Sequence, residues 1–215
     1  MTKLTKEERL LSEGSETVKR ANKRSQKSAK QLGVALKSAV GFPDAICLAN
    51  ELEEDVRAQL WQLLECNMRD LYVNSSMGWN PLEKQHEFFH PLARFVLVSP
   101  VNNPDEIVGF STFRFEHEAE EDILYCYELQ ISPLHQRTGL GRFLMNALRV
   151  IGRRMKMEKI MLTVLDKNIA ANRFYSRIGF QLDECSPTYK DPEDESDDST
   201  EVVDVDYQIL SKLVS

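Results

Sequence analysis

The sequence predicts an α/β fold: one domain with a mixed central sheet flanked by helices, preceded by an N-terminal helical arm. Three observations carry this. Apolar residues recur at helical spacing over residues 52–71, two strand-like runs flank a turn between 94 and 115, and strand, helix, strand, helix and strand then alternate from 123 to 182. The 215 residues suit one medium domain, and a composition 42% hydrophobic and 28% charged is that of an ordinary globule. The longest apolar stretches, such as Phe95 to Val98, fall far short of a membrane span, so no membrane partner is expected.

Each element has its own signal. From Thr5 to about Lys37 good helix formers dominate, with a sparse apolar set (Leu10, Leu11, Val18, Ala21, Ala29, Leu32, Leu36) able to dock one face. Within this arm, Lys19-Arg20-Ala21-Asn22-Lys23-Arg24 reads either as a nuclear import signal or nucleic-acid patch, or as a solvated helix face. Gly41-Phe42-Pro43 separates the arm, residues 1–41, from the body, 42–215.

Asn50 and Glu53 have capping-box spacing, and Leu52, Val56, Leu60, Leu63, Leu64 and Leu71 follow on one face, giving a helix to about Tyr72. Asn80-Pro81-x-Glu83 starts a short second helix that Pro91 ends. Arg94 to Ser99 and Ile107 to Phe115 pair across the turn Val101 to Asp105, and Ile123 to Ser132 is a longer third strand. Arg142 to Met155 is amphipathic, Lys159 to Leu165 is a continuous apolar run expected to be a buried parallel strand, and Asn168 to Ile178 is a helix closed by Gly179. Phe180 to Leu182 and Val202 to Leu210 are strands on either side of an acidic stretch.

The net charge of −7 is unevenly spread. Residues 1–41 hold ten Lys and Arg against four Glu, whereas 183–206 hold eleven Asp and Glu against Lys190 alone. The acidic stretch 183–204 reads as a flexible loop. Cys47, Cys66, Cys126 and Cys185 are dispersed and form no Cys-x-x-Cys pair, and the first residues carry no apolar leader. Reduced thiols in the nucleus and cytoplasm are the expectation, with no disulfide framework and no metal.

The sharpest chemical signal is a strand ending at Ser132-Pro133, followed by Gln136-x-x-Gly139-x-Gly141 at the start of a helix. Glycines let backbone approach a ligand, and a helix N-terminus offers unpaired N–H groups and a positive dipole end to an anion, here a diphosphate. Neither a Walker Gly-Lys-Ser/Thr nor a Gly-x-Gly-x-x-Gly dinucleotide pattern is present there. A buried strand and Asn168-x-x-Ala171-x-x-x-Tyr175-x-x-x-Gly179-Phe180 follow.

At this spacing the two motifs resemble the GCN5-related N-acetyltransferase superfamily, over roughly Leu52 to Leu210. The resemblance implies acetyl-CoA as co-substrate. The backbone of Leu129, Gln130 and Ile131 would meet pantetheine and acetyl; Gln136, Arg137, Thr138, Gly139, Leu140, Gly141 and Arg142 would meet the diphosphate; Asn168 would meet pantetheine. Tyr175 belongs either to the cofactor site or to helix–sheet packing. Leu124-Tyr125-Cys126-Tyr127-Glu128, Asn67-Met68-x-x-Leu71-Tyr72, Gly78-Trp79, Met161-Leu162-Thr163-Val164 and Tyr207-x-Ile209-Leu210-Ser211 are similar to the histone-specific Nα-acetyltransferase subgroup. That likeness implies histone N-terminal tails beginning Ser-Gly-Arg-Gly as substrate, with no specific nucleic-acid partner and a monomeric enzyme. The chain departs from the subgroup at Met77 and Glu116, where the subgroup has Trp and Asp.

An α-amino group has a pKa of about 8, so a nearby carboxylate or tyrosine suffices to take its proton as nitrogen attacks a thioester. Strict alternation would aim Tyr125, Tyr127 and Leu129 one way and Cys126 and Glu128 the other; a bulge would bring Tyr127 and Glu128 together. Glu128 is the expected general base, directly or through water, with Tyr127 or Tyr125 orienting the amine; the competing reading of Glu128 is a structural salt bridge. Tyr72, Trp79 and Tyr207 are expected to enclose the first peptide residues, with Thr163 on the same side. Glu116 and Glu118, with Glu120, Glu121 and Asp122, form an acidic rim suited to an arginine at the third substrate position, or a solvated loop, which is the better reading for Glu120 and Glu121.

Two other readings compete. His86-Glu87-Phe88-Phe89-His90 matches the zinc-peptidase His-Glu-x-x-His signature, but Pro91 follows at once and no third ligand is evident. A non-catalytic acyl-CoA-binding module docked through the basic arm is the other.

Overall fold

The computed structural model describes residues 14–23, 46–190 and 205–215. Among these residues seven strands form one sheet in the order β1-β2-β3-β4-β5-β7-β6. They are β1 (Ile46–Leu48), β2 (Arg94–Val98), β3 (Gly109–Glu118), β4 (Glu121–Ile131), β5 (Lys159–Leu165), β6 (Gln181–Leu182) and β7 (Tyr207–Leu213). Only the β4–β5 pair is parallel; the other neighbours are antiparallel, so the sheet is mixed as expected.

The helices are α1 (16–23), α2 (Glu54–Val73), α3 (Pro81–Phe88), α4 (Leu140–Met155) and α5 (Ile169–Arg177). They cover two apolar faces. One holds Leu144, Leu148 and Ile151 of α4 against Phe113, Phe115, Leu124, Cys126, Ile160 and Leu162. The other packs Leu60 and Leu64 of α2 and Phe88 of α3 on Phe95 and Phe110. None of the described helices is long and apolar enough to cross a membrane.

Several boundaries move for physical reasons. Asn50 does not cap α2: residues Ala49–Glu51 form a 3-10 turn, and Glu53 occupies the cap position without a side-chain bond. The Glu51 carboxylate instead accepts the Leu48 N–H at 2.7 Å, fixing the exit from β1, a strand too short to show a period in the sequence. At α3 the expected cap holds, with Asn80 accepting from the N–H groups of Leu82 and Glu83 and Pro81 at the first turn.

Most of the basic arm, and Arg24 with it, lies outside the described residues, as do Gly41, Phe42 and Pro43. Its described part is packed on the body: Val18 and Ala21 join the core, and Arg94 donates to the Asn22 carbonyl at 3.5 Å. Of the acidic stretch, 191–204 lie outside the described residues. Its head is no loose loop. Asp183 is buried and accepts from Lys159 at 2.7 Å, its N–H donates to the Ile209 carbonyl, and the Ser186 hydroxyl accepts the Ile209 N–H.

Candidate active site

Chain direction and hydrogen bonding together open a cleft in this sheet. Strands β4 and β5 pair only from Ile123–Lys159 to Tyr125–Met161, then diverge, leaving Cys126 to Ile131 and Leu162 to Leu165 without a ladder between them. The cleft of about 1090 Å³ that results is lined by Leu129, Gln130 and Ile131 on one wall and by Leu162 to Leu165 on the other. Unpaired strand edges offer N–H and C=O groups to an extended amide-bearing ligand.

The glycine loop closes one end. Gly139 precedes α4 with φ of +98°, a conformation that L side chains rarely adopt, and no side chain caps the helix. A Cβ on Gly139 would stand in open space, so the position is glycine for its backbone, whereas a Cβ on Gly141 would press on the Phe174 ring at 3.2 Å. The helix N-terminus, bare of a side-chain cap, therefore lies at the cleft, which Arg137, Gly139, Gly141 and Arg142 line. Gln136 lines it too and donates to the Ile131 carbonyl at 3.3 Å. Thr138 and Leu140 do not line it: the Thr138 hydroxyl turns back to the His135 carbonyl, and Leu140 packs on the core.

Asn168 lines the cleft as the N-cap of α5, its oxygen taken by the Ala171 N–H at 3.2 Å. Tyr175 also lines it, and in addition packs between Phe174 and Phe180, so both roles weighed for it meet in one residue. Burial holds its phenol well above the ordinary value.

Beside the divergence point, β4 carries a bulge. Thr112 pairs with Glu128 but Phe113 with Cys126, so Tyr127 is the extra residue. Leu124 and Cys126 before it and Leu129 and Ile131 after it all reach the same apolar face, which leaves Tyr125, Tyr127 and Glu128 together on the other side. All three line the cleft.

Glu128 is buried and fully engaged. Lys84 approaches Oε1 at 2.8 Å, the Tyr72 hydroxyl donates to Oε1 at 3.3 Å, and Gln130 Nε2 donates to Oε2 at 2.8 Å. Asn67 in turn donates to Gln130 Oε1 at 3.0 Å. Burial pulls the Lys84 ammonium down, but the Glu128 and Glu87 carboxylates outweigh it and hold it above its ordinary value. Burial and then the Glu128 charge push the Tyr72 phenol up.

Tyr127 donates to Glu116 Oε1 at 2.7 Å beneath the Arg114 guanidinium, which lies 4.0 Å from its ring centroid. Burial raises both the Tyr127 phenol and the Glu116 carboxyl. Tyr125 meets the Thr163 hydroxyl at 2.6 Å, and burial pushes its phenol up to about 12.

The aromatic enclosure is smaller than the sequence suggested. Tyr72 lines the cleft, but Trp79 sits behind it, stacked between Tyr72 at 5.9 Å and Trp61 at 5.6 Å, because α2 presents Trp61 and Tyr72 to the loop before α3. Tyr207, opposite Leu165 on β7, lies outside the cleft lining, and so do Glu116 and Glu118. The acidic rim is also partly spent internally: Glu121 pairs with Lys159, and Asp122 with His117 and Ser15. Lys84 lines the cleft without a signal in the sequence, and Asn67 and Glu87, quoted there only as parts of motifs, line it too, since nothing in a helical period marks a polar residue that reaches across to a strand.

The His-Glu-x-x-His pattern is not a metal centre. Helix α3 ends at Phe88, and His90 Nδ1 accepts the Leu92 N–H at 3.1 Å while Glu87 pairs with Lys84. Among the described residues no group of three His, Cys, Asp or Glu could hold a metal.

A splayed parallel pair ending at a glycine-lined helix N-terminus suits an extended, amide-bearing ligand that carries an anionic group. The comparisons agree. Residues 59–180 match the acetyltransferase (GNAT) family, and the chain belongs to that family. Its fold is that of Tetrahymena GCN5, at 12% identity over 81% of this chain and 97% of that one, with a TM-score of 0.57. It is also that of a chain of the NatC complex bound to Gag peptide and CoA (14% identity, 80% and 99% covered, TM-score 0.54) and of Ard1 from Thermoplasma volcanium (17%, 80% and 98%, TM-score 0.50). The protein is thus an acetyl-CoA-dependent acetyltransferase. The residues present fit that co-substrate: bare N–H groups and two arginines for the diphosphate, and free strand edges for the pantetheine amides.

Proposed function

We propose that this enzyme is an Nα-acetyltransferase of the N-terminal acetyltransferase D type, acetylating the free amino termini of histones four and two-A, which begin Ser-Gly-Arg-Gly. The observation that carries the reading is the bulge at Tyr127, which sets a buried carboxylate and two tyrosines beside the splayed strand edge. Support for the substrate comes from the sequence stretches around Tyr72, Tyr127 and Tyr207, and from peptide-bound NatC sharing the fold.

Acetyl-CoA, when bound, supplies a thioester whose C–S bond breaks as the amine nitrogen bonds the carbonyl carbon, giving an amide and the free thiol. In this reading Glu128 accepts the proton that the nitrogen loses, directly or through water, which balances the proton taken up by sulfur. Tyr125 and Tyr127, fixed by Thr163 and Glu116, orient the amine, and Tyr72 covers the first residue. Leu129 to Ile131, Asn168 and, from the glycine loop, Gln136, Arg137, Gly139, Gly141 and Arg142 hold the co-substrate. Glu116 and Glu118 stand outside the cleft, where an extended peptide would carry its third side chain.

Steady-state kinetics on Ser-Gly-Arg-Gly against Ser-Gly-Ala-Gly and against Met- and Ala-starting peptides test the choice. Loss of kcat/KM with the alanine at position three supports it; equal or better turnover of the other starts assigns the enzyme to another protein N-terminus.

A further inference from the structure

Lys84 is a half-buried cation lining the cleft, with its side chain 16% exposed. Its ammonium is 2.8 Å from Glu128, 2.7 Å from Glu87 one turn along α3, and 4.9 Å from the Tyr72 ring centroid. It therefore spans helices α2 and α3 and strand β4. No surface requirement explains such placement, because an exposed ion pair gains little and a buried lysine must recover its lost hydration from its partners.

We propose that Lys84 is a positioning residue: by pairing with Glu128 it keeps that carboxylate ionised and fixed as the proton acceptor of the transfer reaction. This rests on the role given to Glu128 above. The groups that face Glu128 from the packed elements are Lys84 and Tyr72, with Glu87 behind Lys84, and Cys126 and Tyr175, whose own ionisation its charge opposes. Lys84 alone among these is a cation, so its loss leaves a buried carboxylate with only the neutral donors Tyr72 and Gln130. Burial then favours the neutral acid, and the carboxylate form is lost at higher pH as the solution is acidified.

The test compares the unmodified protein with Lys84→Met and Lys84→Arg. In protein labelled with ¹³C at glutamate carboxyls, the Glu128 signal, identified by its absence in Glu128→Gln, is followed through a pH titration. Lys84→Met is expected to move its midpoint to higher pH and Lys84→Arg to leave it near that of the unmodified protein. In parallel the ratio of kcat/KM at pH 8 to that at pH 6 should grow about tenfold in Lys84→Met, the consequence of a carboxylate protonated at the lower pH. Lys84→Gln, which keeps a donor and removes only the charge, gives the same readout if the methionine variant does not fold. An unshifted midpoint, or an activity loss of equal size at both pH values, overturns the proposal. The titration needs no acceptor peptide, so a failure to acetylate α-amines would refute the functional reading without moving this result.

Discussion

Asp183→Asn probes the junction that ties the acidic stretch to the sheet. Burial by itself would raise the Asp183 carboxyl, but donors from Lys159, Ser211 and the Cys185 amide overcome it and hold the group at about 2, against 3.8 for the free side chain. That difference corresponds to about 2 kcal/mol of native-state stability. The carboxyl is depressed in the folded protein, so the contribution is complete above the unfolded value and is lost as pH falls through the folded one. Urea denaturation at pH 7 should show Asp183→Asn less stable by about 2 kcal/mol, and at pH 3 the deficit should shrink to roughly half, since the unfolded chain is by then mostly protonated. A deficit of the same size at both pH values would refute the ionic origin. No deficit at all would return residues 183–190 to a loose loop.

Further outcomes follow from the site. Glu128→Gln keeps the shape and most hydrogen bonds of the side chain, so calorimetric binding of coenzyme A should persist while kcat falls roughly 100-fold or more; retained turnover would remove Glu128 from proton transfer. Gly139→Ala forces a φ of +98° on a residue with a Cβ, at a cost of about 1 kcal/mol, and should raise KM for acetyl-CoA with little effect on peptide KM. Unchanged acetyl-CoA kinetics would separate the loop from the diphosphate.

The sequence made much of this architecture legible where local chemistry decides structure. Asn80-Pro81 set the start of α3, the apolar run Lys159 to Leu165 is β5 over its whole length, and Gly139 marks the turn whose positive φ favours glycine. What stayed hidden depends on partners distant in the chain. The bulge at Tyr127 exists only through the register with β3, so alternation alone could not decide whether Tyr127 and Glu128 share a face. Trp79 has the chemistry of a pocket wall, but Trp61, eighteen positions earlier, captures it from behind. Lys84 is one more polar residue on a short helix until α2 and β4 bring Tyr72 and Glu128 to it. The cap at Asn50 failed for a related reason: Glu51, bonded to the end of β1, turned the chain before the helix began.

In the proposed reaction the acetyl group goes to a protein's α-amine. Incubating the purified enzyme with acetyl-CoA and a Ser-Gly-Arg-Gly peptide that also contains lysine, beside the same peptide with a blocked N-terminus, and locating the added acetyl by fragmentation mass spectrometry, tests it most directly. The expected result is acetyl on the terminal serine nitrogen of the free peptide and no product from the blocked one. Acetyl-lysine in the blocked peptide at a comparable rate would contradict it.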